Sequence, residues 1–243
     1  MQIEVVRQSD EARPAVRVKI CGITRLEDAV AALTAGADYL GFILYPPSPR
    51  YVNAERVAAL VAEVRVHAST RALFARPAPP LLVGVFVNET PDHVATVLDA
   101  CRLDLVQLSG DEDVSYVTDP ASPLFGRAYK AIRPRTLSEA NTQSNYYANI
   151  TTTMSSRPQL LLDAPHQTLY GGTGETGDWD IATEVARMLP GLMLAGGLTP
   201  DNVAMAVAQV RPFAVDVAGG VEIAPGQKDH DKIVTFIRKA KGA

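Results

Sequence analysis

Two side chains in this sequence of 243 residues combine chemical reactivity with a position at the end of a short apolar run. Cys21 ends the run VRVKIC (16–21), and Asp163 ends QLLLD (159–163). A thiol near hydrogen-bond donors can act as a base or a nucleophile, although a free cysteine is more often a buried core residue. A carboxyl group between apolar walls has a raised pKa and can act as a general acid, although a helix cap or a loop anchor is the simpler role. Both residues are therefore candidates for acid–base chemistry.

Two pairs of glycines indicate a site for an anion. Gly196-Gly197 begins GGLTP, and Gly219-Gly220 lies in AGGVE, each directly after an apolar run. Glycines let main-chain N–H groups approach a phosphate dianion closely, and helix N-termini add positive partial charge. A single pair would be explained more simply as a tight turn. Two pairs after successive runs favour a phosphate site.

Three more polar or thiol residues need an interpretation. Arg50, in PPSPRYV, suits a planar carboxylate, which it can hold through two parallel hydrogen bonds, but a solvated loop arginine is the alternative. Asp216 lies one residue inside the end of its run, where a buried structural role competes with a ligand contact. Cys101 is expected in the core. The 4 histidines show no metal-ligand spacing, so the sequence predicts no metal site.

Eight short apolar runs alternate with helical segments along the chain. We predict strands at 16–21, 38–44, 81–87, 104–108, 128–132, 159–163, 192–196 and 213–217. We predict helices at 26–35, 54–64, 91–101, 111–118, 137–148, from 178 onward, 200–210 and 229–241, the fourth with a poor helical signal. Such alternation produces a parallel sheet with right-handed crossovers. The number of units and the chain length favour a single-domain (β/α)8 TIM barrel of the α/β class over an open doubly wound sheet, which is the alternative.

The barrel is expected to occupy residues 16–243, with residues 1–15 as an N-terminal extension or linker. Two segments interrupt the regular spacing: 67–80 reads as a surface insertion, and 141–158 as an irregular connection. In a TIM barrel the functional groups lie at the C-terminal ends of the strands and in the loops that follow. The candidate residues named above would therefore share one rim.

The composition argues against several classes of partner. The formal net charge is -4 and basic residues form no long run, so we expect no nucleic-acid partner. We also expect no membrane association and a cytoplasmic protein, because apolar stretches are too short to span a bilayer and the N-terminus lacks an apolar signal core. The 2 cysteines are not expected to form a disulfide.

Eight stretches of the chain, taken together, resemble the phosphoribosylanthranilate isomerases of tryptophan biosynthesis. They are VKICGIT (18–24), LGFILYPPSPRYV (40–52), LVGVFVN (82–88), DLVQLSGDE (104–112), LLLDA (160–164), GGTGETGDW (171–179), LAGGLTPDNV (194–203) and VDVAGGVE (215–222). They follow one another in order over nearly the whole chain. One such stretch would be weak, but eight at predicted strand ends are highly specific.

The resemblance implies an enzyme without a cofactor and a small phosphorylated substrate. The family converts N-(5'-phosphoribosyl)anthranilate into 1-(2-carboxyphenylamino)-1-deoxyribulose 5-phosphate by an Amadori rearrangement. By this resemblance Asp163 is the general acid that protonates the furanose ring oxygen, and Cys21 is the general base that removes the C2' proton. Such a pair needs a protonated acid and an ionised base at one pH, so the surroundings must differ.

The resemblance also implies binding roles. Arg50 would hold the anthranilate carboxylate, and the glycine pairs at 196–197 and 219–220 would hold the phosphate. Asp216 matches a family position near the anilino group, and Gln107 lies on the rim below it, so both are expected to contact the substrate.

The chain departs from the common family pattern at two places. Ser109 stands where many members have a histidine, and AGGVE replaces the frequent SSGVE, which removes hydroxyl donors but leaves main-chain amides. The GGTG loop and AGGVE are similar to the fungal branch, in which this barrel is often the last domain of a fused polypeptide. A fusion to other tryptophan-pathway domains is therefore expected.

Two other kinds of function fit parts of the pattern. Related sugar-phosphate barrels, such as the Amadori isomerase of histidine biosynthesis or indole-glycerol-phosphate synthase, would share the phosphate loops. They use an Asp pair or a Lys/Glu set, and KICG with LLLDA matches neither. A barrel kept only for binding or assembly is the alternative without catalysis.

Overall fold

Eight parallel strands close into a barrel in sequence order in the computed structural model, which describes residues 15–70, 80–147, 157–163 and 179–243. The strands are β1 (Arg17–Cys21), β2 (Tyr39–Ile43), β3 (Leu81–Phe86), β4 (Leu105–Leu108), β5 (Ala128–Ile132), β6 (Leu160–Asp163), β7 (Leu192–Ala195) and β8 (Ala214–Val217). All eight lie where the sequence predicts them. Because β1 pairs with β8, the sheet has no edge, and the single-domain TIM barrel is confirmed over the open sheet.

Helices follow the strands around the outside of the barrel. They are α1 (Leu26–Ala35), α2 (Ala54–Thr70), α3 (Pro91–Ala100), α4 (Ser115–Thr118), α5 (Leu137–Tyr147), α6 (Trp179–Met188), α7 (Val203–Val210) and α8 (His230–Lys241). After β8 the chain makes a 3₁₀ turn (Gly219–Val221) and an antiparallel hairpin of β9 (Glu222–Ala224) and β10 (Gln227–Lys228). The sequence predicts only a loop where this hairpin forms. Among the described residues, no helix has the length and apolar character needed to cross a bilayer.

The alternation of side chains along each strand separates two buried regions. In β1, Val18 and Ile20 belong to the large apolar cluster between the strands and the helices. Lys19 and Cys21 face the other way, into the barrel. The interior holds a second, smaller apolar cluster made of Tyr39, Val83, Leu105, Tyr129, Ala131, Leu161, Met193, Ala195 and Ala214. The interior face of β1 is therefore the one that carries chemically reactive groups.

Two expected interruptions are partly wrong. Helix α2 continues to Thr70, into the segment 67–80 that we expected as an insertion. Helix α5 continues to Tyr147, although residues from 141 onward were expected to be irregular. The helix predicted at 137–148 is confirmed, and it buries only small side chains, those of Ala140 and Ser144. The expected linker, residues 1–15, lies outside the described residues except for residue 15.

Candidate functional site at the C-terminal rim

Cys21 lies at the C-terminal end of β1 with its thiol inside the barrel. A Cβ atom added to Gly41 on the neighbouring β2 would lie 2.7 Å from Cys21 Sγ and 3.0 Å from Lys19 Cε. The thiol of Cys21 and the methylene chain of Lys19 thus both pack against Gly41, in space that a larger side chain would fill. Burial raises the pKa of Cys21 above its ordinary value of 9.0, and the charge of Lys19 opposes this effect. The thiol is buried and lies beside a cation.

Lys19 organises a buried polar network below the rim. Its Nζ donates to Gln107 Oε1 at 2.6 Å and to Asp216 Oδ2 at 3.1 Å. Tyr129 Oη also donates to Gln107 Oε1, at 3.1 Å, and Gln107 Nε2 donates to Ser109 Oγ at 3.1 Å. The side-chain oxygen Oε1 of Gln107 therefore accepts hydrogen bonds from Lys19 and Tyr129. A contact of Gln107 with the substrate would have to use Nε2. Ser109, at the position of the family histidine, is part of this network.

Asp216 is a buried acidic residue on β8, the strand that pairs with β1. Its Oδ1 is buried and has no hydrogen-bond partner among the described residues. Burial raises the pKa of Asp216, the charge and hydrogen bond of Lys19 oppose this, and the charge of Asp163 adds to the rise. The charge of Asp216 also acts on Cys21. Asp216 is thus within electrostatic range of both Cys21 and Asp163, and it has one acceptor oxygen free of described partners.

Asp163 has surroundings that differ from the expected apolar enclosure. Its side chain is 34% exposed, and its Oδ2 accepts a hydrogen bond from Arg133 Nε at 3.0 Å. The expectation of apolar walls is wrong because side chains alternate along β6. Leu160 and Leu162 face the helices, and only Leu161 faces the barrel interior with Asp163. Arg133, which follows β5, supplies the cation.

Arg50 is held in the loop between β2 and α2 by an acidic residue that sequence reasoning did not single out. Its Nε donates to Glu222 Oε1 at 2.8 Å, and its Nη2 donates to Glu222 Oε2 at 2.6 Å. A Cβ on Gly22 would lie 2.6 Å from Arg50 Cδ, and a Cβ on Gly219 would lie 3.3 Å from Arg50 Nη2. Arg50 is therefore packed into the rim and is not a solvated loop arginine.

Lys228 is the second functional candidate that the sequence did not reveal. It is 2% exposed, and its Nζ donates to the carbonyl oxygen of Cys21 at 2.6 Å, to that of Ala218 at 3.0 Å and to Glu222 Oε1 at 2.9 Å. Burial lowers the pKa of Lys228, against the effect of Glu222. The hairpin β9–β10 thereby ties together the ends of β1 and β8. No local motif marks a lysine whose partners come from distant segments.

The glycine pairs have a steric role in addition to the one expected. Gly196 and Gly197 have φ values of 97° and 59°, in the region that favours glycine. A Cβ on Gly220 would lie 1.9 Å from the carbonyl oxygen of Leu198, so the loops after β7 and β8 pack main chain against main chain. Among the described residues, no main-chain acceptor pairs with the N–H of Gly219 or Gly220. These loops are therefore tight turns, and the main-chain N–H groups of Gly219 and Gly220 are available to a ligand.

The second cysteine lies away from the rim residues, in the core. Cys101 is buried, with its Sγ 3.2 Å from the carbonyl oxygen of Ala54, as expected for a core thiol. Within the described ranges, no group of three or more His, Cys, Asp and Glu side chains has an arrangement that would hold a metal ion.

Comparison with known sequences gives a family match over most of the chain. The family model described as N-(5'phosphoribosyl)anthranilate (PRA) isomerase matches residues 18–239. An N-(5'-phosphoribosyl)anthranilate isomerase from Trichlorobacter lovleyi is 45% identical over 230 residues, which cover 94% of this chain and 99% of that protein. The protein of the same name from Thermotoga petrophila is 40% identical over 229 residues, covering 93% of this chain and 99% of that protein.

Solved structures give the same result. The crystal structure of phosphoribosyl anthranilate isomerase from Thermotoga maritima has a TM-score of 0.72 and 37% identity, covering 94% of this chain and 100% of that one. A phosphoribosyl anthranilate isomerase in complex with reduced 1-(o-carboxyphenylamino)-1-deoxyribulose 5-phosphate has a TM-score of 0.71 and 36% identity, with the same coverage of 94% and 100%. The chain therefore belongs to the N-(5'-phosphoribosyl)anthranilate isomerase family of enzymes.

Proposed function

We propose that this isomerase converts N-(5'-phosphoribosyl)anthranilate into 1-(2-carboxyphenylamino)-1-deoxyribulose 5-phosphate, with Asp163 as the general acid and Cys21 as the general base. The observation that carries the proposal is the position of the two residues. Both lie at the C-terminal end of a barrel strand, and both interact electrostatically with the buried Asp216 on β8. The names of the related proteins support the same reaction.

The reaction needs one proton donor and one proton acceptor in sequence. Asp163, in its protonated form, gives its proton to the furanose ring oxygen, and the bond between this oxygen and C1' breaks to leave an iminium ion. The thiolate of Cys21 then takes the proton from C2', and the electron pair of that C–H bond neutralises the iminium as an enolamine. Tautomerisation of the enolamine, with a proton added at C1', gives the ketone. The ammonium of Lys19 beside Cys21 favours the thiolate that this step requires.

The remaining rim residues suit the other parts of the substrate. Arg50 would pair with the anthranilate carboxylate, since a guanidinium binds a planar carboxylate well. Asp216 Oδ1, which has no described partner, would accept a hydrogen bond from the anilino N–H. The amides of Gly219 and Gly220 and the turn at Gly196-Gly197 would bind the phosphate, at the recurrent phosphate site after strands seven and eight of this fold.

Two variants test the catalytic roles. Cys21→Ala and Asp163→Asn should each lower kcat by about 10²- to 10⁴-fold, the usual contribution of a positioned acid or base. Both should still bind the reduced product analogue, because neither change touches the glycine loops. Cys101→Ala is the matched control and should keep its turnover, since that thiol lies in the core. Near wild-type turnover of both variants, in a fluorescence assay of substrate consumption, would show that the assigned roles are wrong. Absence of turnover in the unaltered protein would favour a barrel kept only for binding.

Two wider expectations stay predictions. The related proteins consist of this barrel alone, because the chain covers 99% of the Trichlorobacter protein, and they give no support to a fusion with other pathway domains. A cytoplasmic location is likewise expected from the sequence.

A further inference from the structure

Arg50 presents two different edges, and Glu222 occupies one of them. The carboxylate of Glu222 accepts from Nε and Nη2 at 2.8 and 2.6 Å. Nη1 makes no hydrogen bond to any described residue, and the side chain is 22% exposed. A planar guanidinium held along one edge has its plane and its direction fixed. Arg50 is therefore oriented before any ligand binds, with donors left over.

Glu222 is itself fixed from the side opposite to Arg50. Its Oε1 also accepts from Lys228 Nζ at 2.9 Å and from the main-chain N–H of Gly226 at 3.2 Å. Burial would raise the pKa of Glu222, but the hydrogen bonds from Arg50 and Lys228 outweigh it and hold the pKa below its ordinary value. A Glu222 that moved away would leave Lys228, which is 2% exposed, as a buried charge without its carboxylate partner.

The charges of this group favour an anion even though Arg50 is paired. Arg50 and Lys228 each carry a positive charge and Glu222 carries one negative charge, so that the three together keep a single positive charge. Bidentate pairing therefore does not neutralise the rim at this point. Glu222 therefore holds Arg50 in place, and the substrate carboxylate does not have to displace Glu222 in order to bind.

We propose that Glu222 is a positioning residue that holds the free edge of Arg50 toward the substrate carboxylate, so that the hairpin β9–β10 selects substrates with a carboxylated ring. The proposal rests on the role of Arg50 in the proposed function. It assigns to the hairpin a task in recognition that goes beyond closing the barrel end. The expected signature is a loss of preference for the carboxylate, with a smaller effect on ligands that lack it.

The experiment compares two ligands, the reduced product analogue and the same compound without its carboxylate. Calorimetric titration gives the Kd of each ligand. The Kd of the ligand without the carboxylate, divided by the Kd of the ligand with it, reports the contribution of the carboxylate and is called the ratio below. In Glu222→Gln the ratio should fall about tenfold, which corresponds to about 1.4 kcal/mol. An amide cannot accept from both Nε and Nη2, so Arg50 loses its fixed direction. Glu222→Asp keeps the negative charge on a side chain that is one methylene shorter, so the ratio should fall less than in Glu222→Gln. This variant provides a second measurement if Glu222→Gln folds poorly.

Glu112→Gln is a matched control at a similar buried pair. Glu112 is 4% exposed and its Oε2 lies 3.1 Å from Lys130 Nζ, in the loop after β4. Its main-chain partners are the N–H groups of Asn88 and Gly110. This variant should lose stability and yet keep the ratio of the two dissociation constants, because no arginine at the rim depends on it.

Arg50→Met separates failure of the inference from failure of the proposed function. If Arg50→Met leaves the ratio unchanged, the carboxylate does not bind at Arg50, and the proposed role of Arg50 is wrong. If Arg50→Met lowers the ratio while Glu222→Gln and Glu222→Asp leave it unchanged, Arg50 binds the carboxylate without help and the inference is overturned. A higher ratio in Glu222→Gln also overturns it, since Glu222 would then compete with the ligand.

Discussion

Lys19 Nζ lies 3.1 Å from Asp216 Oδ2 inside the barrel, and the two residues face each other across the pairing of β1 with β8. The lysine is wholly buried. The charge of Asp216, with those of Cys21 and Tyr129, raises the pKa of Lys19 even though burial alone would lower it. The pair therefore supplies a permanent cation beneath the candidate base.

Replacing Lys19 should cost considerable stability. Lys19→Met leaves Asp216 buried without its cation, and removing one partner of a buried pair costs about 3–5 kcal/mol. The double variant Lys19→Met with Asp216→Asn should be clearly more stable than Lys19→Met, because no uncompensated charge is left. Urea unfolding measures the free energies. A double variant as unstable as the single one would show that packing of the lysine stem, and not its charge, causes the loss.

The thiol of Cys21 should ionise at higher pH than an ordinary cysteine. Burial favours the neutral thiol, so we expect its pKa above 9.0. Lys19→Met should raise this pKa further, because the cation that favours the thiolate is gone. Asp216→Asn should lower it, because a repelling anion is gone. NMR titration of carbon-labelled cysteine in a Cys101→Ser background follows this one thiol, and equal pKa values in all three proteins would contradict the electrostatic role of the pair.

Gly41 should be required for the geometry of the site, and Gly84 provides its control. An alanine at position 41 brings Cβ within 2.7 Å of Cys21 Sγ and 3.0 Å of Lys19 Cε. An alanine at 84, on β3, collides with Phe86 Cε2 at 2.7 Å and Leu103 Cδ1 at 3.0 Å, in the outer cluster. Overpacking of this kind costs about 1–3 kcal/mol in either variant. The specific activity of the folded protein should fall only in Gly41→Ala. A similar fall in Gly84→Ala would indicate a general loosening of the barrel.

Gly220 and Gly219 should differ in their tolerance of a side chain. Gly220→Ala must displace the main chain, because Cβ would lie 1.9 Å from the carbonyl oxygen of Leu198. Gly219→Ala meets only Arg50 Nη2 at 3.3 Å and Glu222 Oε2 at 3.9 Å. We expect Gly220→Ala to weaken binding of the product analogue without its carboxylate by about tenfold, or about 1.4 kcal/mol. Gly219→Ala should bind it nearly as well as the unaltered protein does, and equal losses in both variants would exclude this steric account.

The sequence predicts the strands well because each strand has its own run of apolar residues. Such a run can be read without knowing which distant residues it will contact. It also predicts that Cys21 and Asp163 share a rim, since the topology alone brings strand ends together. The surroundings of Asp163 could not be predicted in this way, because its cation, Arg133, comes from another strand end. The pairing of Arg50 with Glu222 joins residues 172 positions apart, and charged residues carry no mark of their future partner. Contacts between segments that are distant in the sequence are thus the features of the site that only the three-dimensional structure shows.

The hydrogen bond from Lys228 Nζ to the carbonyl oxygen of Cys21 spans 207 positions of the chain. During synthesis on the ribosome, the candidate base is therefore made well before the lysine that donates to its main chain. A nascent chain can assemble most of the barrel wall and still lack this fastening until residue 228 has emerged. Completion of the rim therefore requires synthesis through residue 228, and chains that stop before the hairpin lack the hydrogen bond that joins β10 to the end of β1.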